Sequence, residues 1–407
     1  MEHLTVAQFL GMLALMLATA KLLGAAAKRV GQPAVLGELV AGVLLGASVL
    51  GLVSPKNECL HLLSELGVVI LLFEIGLETD LGRLLKVGGV AATVAAVGVV
   101  LPFALGYGVC RLLGLEDLPA VVAGATLTAT SVGITARVLS DLGRLQETES
   151  QIVLGAAVVD DILGLVILAV VGGVAAGQGV SALGVAQITA VAFGFLIGTL
   201  LLGAIVVPPL ARWFARLGLP GAVATLGIVL AFALAWLADA AGSAMIIGAF
   251  AAGLLLRRTP QVHDIERGIA QLGHFFVPLF FVVVGAAVDV RVLNPFDPAN
   301  HQTLSVGGLL IVAAVIGKFL AGYAPFWFQG RKAIIGVGMI PRGEVGLIFA
   351  QMGLASKAFD AGQFSAVALM VMVTTFLAPP LLRLLFPPPP AGPPTPPLGI
   401  QDLTTEP

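Results

Sequence analysis

The chain has 407 residues, is 58% hydrophobic and only 11% charged, and carries a net charge of −2. A soluble globular chain carries about 25% charged residues, so a single water-soluble domain is excluded and a polytopic membrane protein is expected. The near-neutral balance offers nothing to nucleic acid, and the two cysteines (Cys59 and Cys110) and five histidines form no metal or redox spacing; both cysteines read as packing residues.

Apolar runs broken by Gly, Pro or charge mark about thirteen spans. In chain order they cover 4–26, 34–53, 63–79, 87–113, 118–141, 149–176, 182–213, 219–240, 243–257, 267–290, 303–328, 331–356 and 363–386. The first run lacks a basic flank and reads as a span, not a cleaved signal. The Pro-rich stretch 387–407 is too polar for a further span and is expected to be disordered, with no soluble regulatory domain after it. With the N-terminus outside, fourteen Lys and Arg fall on the inner side, four on the outer side, and Lys21, Lys318 and Arg342 within spans. That bias places the C-terminus in the cytoplasm and supports an odd number of spans.

The chain repeats itself. Pro33–Leu45 resembles Ser243–Leu256, with Gly37 matched to Gly248 and Gly42 to Gly253. Phe73-Glu-Ile-Gly76 matches Val282-Val-Val-Gly285, Gly106-Tyr107 matches Gly322-Tyr323, Ser131-Val-Gly133 matches Glu344-Val-Gly346, and Val159-Asp-Asp-Ile-Leu163 matches Val373-Thr-Thr-Phe-Leu377. The offsets all lie between 209 and 216. Spans 2–6 pair with spans 9–13, and an odd separation inverts one repeat against the other, as in many secondary transporters. The expected fold is all-α, with two inverted-topology repeats and two crossing broken helices. The breaks are expected in Thr126–Thr135 of span 5, with its five hydroxyls, and in Gly336–Gly346 of span 12, where Pro341-Arg342-Gly343-Glu344 interrupts an apolar run.

Asp160 and Asp161 lie near the middle of span 6, and Lys318 lies deep in span 11. A charge at the centre of a bilayer costs at least about 3 kcal/mol, so a pair of carboxylates there reads as an ion or proton site facing a water-filled cavity. Successive residues on a helix project about 100° apart. One aspartate can therefore face Lys318 while the other faces the cavity by the broken helices. Arg342 and Glu344 are expected to balance the dipoles of the broken helices or to pair with each other. Glu74 and Glu78, near the inner end of span 3, line an inward funnel or form a solvated face. Glu38 in span 2 reads as meeting an internal water or hydroxyl, and Lys21 as snorkelling from the end of span 1.

These residues together resemble the monovalent cation:proton antiporter superfamily, in particular the bacterial NapA-like sodium/proton antiporters. The matching strings are GQPAVLGELVAGVLLG at 31–46, LLFEIGLETDL at 71–81, TATSVGITARVL at 128–139, GAAVVDDILGLVILAVV at 155–171, Lys318, and MIPRGEVGLI at 339–348. The resemblance implies that Asp161 binds the cation, that Asp160 pairs with Lys318, and that the unwound Thr130-Ser131 region contributes oxygens. It implies a homodimer in the inner membrane that serves pH homeostasis. Residues 1–86 and 177–302 would be scaffold helices, and 87–176 and 303–386 a mobile transport unit. Sodium or lithium and protons would be the cargo, with no cofactor and no enzymatic activity. Relatives in potassium efflux often carry Gln-Asp and a soluble nucleotide-binding tail, and electroneutral relatives often carry Asn-Asp; the Asp-Asp pair points to electrogenic exchange.

Rival readings remain at this level. A potassium/proton antiporter differs by a ligand position. A sodium-coupled organic-anion symporter shares the architecture but does not need the Asp-Asp pair. An intramembrane aspartyl protease needs its two aspartates on two helices. A passive channel differs by rate.

Overall fold

The structure is a computed structural model in which residues 5–54, 57–175, 182–219, 221–297 and 300–386 are described; the Pro-rich stretch 387–407 lies outside them. The elements are α1 (Val6–Arg29), α2 (Ala34–Leu45), α3 (Glu58–Glu78), α4 (Leu81–Lys86), α5 (Gly88–Leu112), α6 (Asp117–Thr126), α7 (Val132–Asp141), α8 (Thr148–Ala175), α9 (Ala182–Arg216), α10 (Ala222–Ala240), α11 (Met245–Leu256), α12 (Val262–Ala286), a short 3₁₀ turn (Val290–Leu293), α13 (His301–Ala321), α14 (Lys332–Gly338), α15 (Glu344–Ala355) and α16 (Ala361–Leu385). Among the described residues, eight of these are long and apolar enough to cross a bilayer alone, and α2 and α11 are shorter apolar helices. With α8 and the two broken spans α6–α7 and α14–α15, the expected thirteen crossings are all present. The membrane-facing surface fits this: α9 leaves Ile197, Leu201, Leu202, Ile205 and Val206 uncovered by the chain.

Helix ends follow local chemistry. Thr5 and Gln8 close a capping box at the start of α1, and Asp360 and Gln363 do the same for α16. Two boundaries differ most from expectation. The second span stops at Leu45 rather than at residue 53, because the amides of Gly51, Leu52 and Val53 fold back onto the carbonyls of Gly46 and Leu45. At 12 residues, α2 and α11 are about 18 Å long, well short of a bilayer. The eleventh span stops at Ala321, before Pro325, which cannot continue a helix. Cys59, expected to be a packing residue, is exposed, whereas Cys110 is buried.

The repeat is visible in the packing. Helix α2 lies on α12 as α11 lies on α3, and α5 lies on α8 as α13 lies on α16. Glycines make the closest approaches. A Cβ on Gly42 would sit 2.2 Å from the Val282 carbonyl and 2.7 Å from Gly285 Cα. On Gly253 it would sit 2.4 Å from the Phe73 carbonyl and 2.7 Å from the Gly76 carbonyl carbon. Gly42 matches Gly253 and Gly285 matches Gly76, so this is one contact made once in each repeat. Likewise Gly37 abuts the Leu23 carbonyl of α1 and Gly248 the Leu234 carbonyl of α10. The repeat therefore extends one helix further than the sequence matches, pairing α1 with α10, and leaves α9 as the connector.

Two sets of helices result. Helices α1–α3 and α10–α12 pack together, and α5, α6, α8 and α13–α16 pack together; α7 touches α2 and α3 as well as α8 and α16.

Gly42→Ala and Gly253→Ala should each lower stability by about 1–3 kcal/mol, the usual cost of overpacking. Gly88→Ala, with open space around it, serves as the control in thermal unfolding of the purified protein. Equal melting temperatures for all three would contradict the repeat contact.

Candidate ion-binding site

The two broken spans cross where their chains leave the helix. α6 ends at Thr126 and α7 begins at Val132; α14 ends at Gly338 and α15 begins at Glu344. The breaks are shorter than the expected stretches, since Val132–Thr135 and Val345–Gly346 are already helical. The two extended segments bond to one another: the Ser131 amide donates to the Pro341 carbonyl at 2.8 Å. Thr130 Oγ1 donates to the Met339 carbonyl at 3.4 Å and Thr135 Oγ1 to the Gly338 carbonyl at 2.7 Å. Gly343 is required beside Ser131, because a Cβ there would lie 2.6 Å from Ser131 Oγ.

A broken helix leaves carbonyls without partners, and lipid supplies no donors. Arg342 meets this need. Its guanidinium is fully buried and donates to the Leu127 carbonyl at 2.6 Å, the Met339 carbonyl at 3.2 Å and the Ile340 carbonyl at 3.1 Å. It thereby neutralises the negative ends of both α6 and α14. Of the two expectations for Arg342, the dipole reading describes these bonds. The side chain of Glu344 lies outside the described ones. Thr375 Oγ1 donates to the Arg342 carbonyl. The first turns of α7 and α15 receive no side-chain cap, so their positive ends face the crossing.

Helix α8 runs past this crossing against α6, α7, α14 and α15. Lys318 of α13 reaches Asp160 of α8 at 3.2 Å to Oδ1 and 3.3 Å to Oδ2, both side chains being buried. Helix α5 lies between α8 and α13, and its Gly98 lies against the Lys318 side chain. Asp161 is partly exposed and within electrostatic reach of Lys318. Thr130 and Ser131 are buried at the crossing, and Ser131 Oγ has no hydrogen-bond partner. These residues are brought together. Glu78 is not; it is exposed at the end of α3, where Gln146 donates to its backbone carbonyl.

One contributor escaped the sequence reading: Thr375, which carries a signal in that it occupies the repeat position of Asp161. A cavity of about 280 Å³, lined by Leu39, Asp289, Gly343, Gln351 and Thr375 among others, reaches the crossing from the end of α12, opposite the face that carries Lys28, Arg29, Arg83, Lys86 and Arg144, the Arg-rich face.

Inverted repeats, two crossing broken helices and buried charges at the crossing together define a secondary transporter of the cation-exchanging kind. The chain belongs to the sodium/hydrogen exchanger family, whose transmembrane model matches residues 14–386. It is 43% identical to the high-affinity Na⁺/H⁺ antiporter NhaS3 of Synechocystis over 88% of this chain and 86% of that one. It is 36% identical to the Na⁺/H⁺-K⁺ antiporter GerN of Bacillus cereus, over 91% and 95% respectively. Among solved structures it is similar to the sodium proton antiporter MjNhaP1 of Methanocaldococcus jannaschii, with a TM-score of 0.71 at 18% identity over 94% of this chain and 95% of that one.

Lys318→Ala strands the Asp160 carboxylate in the interior and should destabilise the protein by about 3–5 kcal/mol, whereas the double variant Lys318→Met with Asp160→Leu should recover most of that loss. Chemical unfolding of the purified variants measures both. A double variant as unstable as Lys318→Ala alone would contradict the ion pair.

Proposed function

We propose that the protein exchanges sodium or lithium for protons by alternating access, with Asp161 as the cation ligand, Asp160 and Lys318 as a coupled proton-carrying pair, and Thr130 and Ser131 as sources of further oxygens. The observation that carries this reading is the buried Lys318–Asp160 pair beside a partly exposed Asp161 at the crossing. Sodium is a hard cation that favours oxygen ligands, and a carboxylate, hydroxyls and unwound carbonyls supply them without soft atoms.

The exchange follows from charge. Cation and proton compete for one carboxylate. At low pH Asp161 holds a proton and excludes sodium; at higher pH it ionises and binds sodium. Asp160, Asp161 and Lys318 titrate as a cluster, so protons released belong to the cluster. If sodium binding also changes the protonation of the Asp160–Lys318 pair, two protons leave for one sodium and the exchange is electrogenic. Only a charge-compensated site crosses the hydrocarbon cheaply. In this reading α5–α8 and α13–α16 move against a scaffold of α1–α3 and α9–α12, which also forms the homodimer contact. The Arg-rich face is cytoplasmic, the N-terminus is outside, and the membrane is the cell's inner membrane.

Potassium stands as the second reading, because the GerN relative is described as a Na⁺/H⁺-K⁺ antiporter. In proteoliposomes with an imposed pH gradient, sodium or lithium should dissipate the gradient and set up a membrane potential, and Asp161→Asn should abolish both responses. Full exchange in Asp161→Asn would contradict the assigned ligand. A response to potassium greater than to sodium would favour the second reading.

A further inference from the structure

Away from the aspartate pair, a buried carboxylate and two half-buried charges bridge α2 and α7 near the Arg-rich face. Pro33 precedes α2, and no side chain of its own segment caps that helix. Asp141 of α7 does so instead, accepting from the Ala34 amide at 3.2 Å. One turn earlier on α7, Arg137 places Nε 3.3 Å from Asp141 Oδ1 and Nη2 4.0 Å from Glu38 Oε1. Glu38 is 2% exposed, and its second oxygen, Oε2, has no hydrogen-bond partner. The expectation that Glu38 meets only a water or hydroxyl is therefore corrected: it faces a guanidinium on another helix.

The charges facing Glu38 are Arg137 and Asp141 of α7 and Lys21 and Lys28 of α1. Arg137 also faces Glu74 and Glu78 of α3. Of the other helices on α2, α16 brings Arg383 over Gly31, just before α2, and α12 meets it through Val282 and Gly285. Next to this array, Arg83 donates to the Gln146 carbonyl at 3.1 Å. The polar contacts between the two helix sets thus gather at the Arg-rich face. At the other end of the same boundary, between α2 and α12 on one side and α15 and α16 on the other, lies the cavity.

We infer that Glu38 is a proton-binding site separate from the aspartate pair, and that Glu38, Arg137 and Asp141 form a latch across the α2–α7 boundary which a proton arriving from the Arg-rich face releases. Burial disfavours the charged form of this carboxylate, and Arg137, ahead of Lys21 and Lys28, favours it. Protonating Glu38 removes its attraction for Arg137. Withdrawing α7 removes the guanidinium of Arg137 and leaves only Lys21 and Lys28 of α1 near Glu38, so separation favours its protonation. Protonation and separation of α7 from α2 are therefore linked, each favouring the other. The inference rests on the antiport reading only in that alternating access requires these helices to separate.

The test uses the full chain with Cys59 and Cys110 replaced by serine and with Val138→Cys. Val138 is fully buried on α7, so modification by a bulky maleimide reports opening of the boundary. At about pH 8, where a free carboxylate is ionised, adding Glu38→Gln should speed labelling about tenfold, the ratio that a latch worth about 1.4 kcal/mol gives. Near pH 5 the two proteins should label alike. Asp141→Asn, which weakens the same latch from α7, should also speed labelling at the higher pH. Equal rates at the higher pH in all three proteins would overturn the latch. Sodium-driven proton flux is measured separately on the same samples. Loss of flux with the labelling difference intact sinks the antiport reading alone, and intact flux with equal labelling sinks the latch alone.

Discussion

Between the two faces of a bilayer, every charge and every free backbone group has to be answered by protein, because lipid offers no counter-charge and no hydrogen bond. The structure meets that constraint at the carbonyl ends of the broken helices and at the buried aspartate. The carbonyl ends of α6 and α14 are answered by one buried guanidinium, that of Arg342. The Asp160 carboxylate is answered by Lys318. Asp161 is the carboxylate of this group that keeps partial exposure, the position that the proposed mechanism gives to the exchangeable cation.

The two repeats supply the same backbone but different chemistry. Gly42 with Gly285 and Gly253 with Gly76 show how closely the scaffolds agree. At the functional position they diverge: Asp160 and Asp161 on α8 correspond to Thr374 and Thr375 on α16. Thr374 bonds within its own helix, to the carbonyls of Met370 and Val371, and Thr375 steadies the backbone of Arg342. One repeat thus carries the carboxylates and the other the cations Lys318 and Arg342, while hydroxyls of both, Thr130 and Thr135 from one and Thr375 from the other, hold the crossing together. This division keeps the net charge near the crossing small.

Much of this was legible in the sequence, for physical reasons. Intramembrane charge is costly, so Asp160, Asp161, Lys318 and Arg342 stood out against apolar runs. Pro341 and the hydroxyl-rich Thr126–Thr135 stretch cannot make a regular helix, so the breaks were visible to within a few residues. The true lengths of α2 and the eleventh span were not legible, because hydropathy continues past Leu45 and Ala321 while the chain turns for reasons of backbone bonding and proline. Glu38 was undervalued because its partner, Arg137, lies on a distant helix and falls at the edge of a span, where arginine is ordinary.

The central claim is that sodium and protons compete for the same acidic cluster. Calorimetric titration of sodium into the purified protein, in two buffers of different ionisation enthalpy, counts the protons released per ion bound. The account predicts proton release near neutral pH, rising sodium affinity with pH, and loss of both in Asp161→Asn. Sodium binding with no proton release, and with an affinity that does not change with pH, would contradict it.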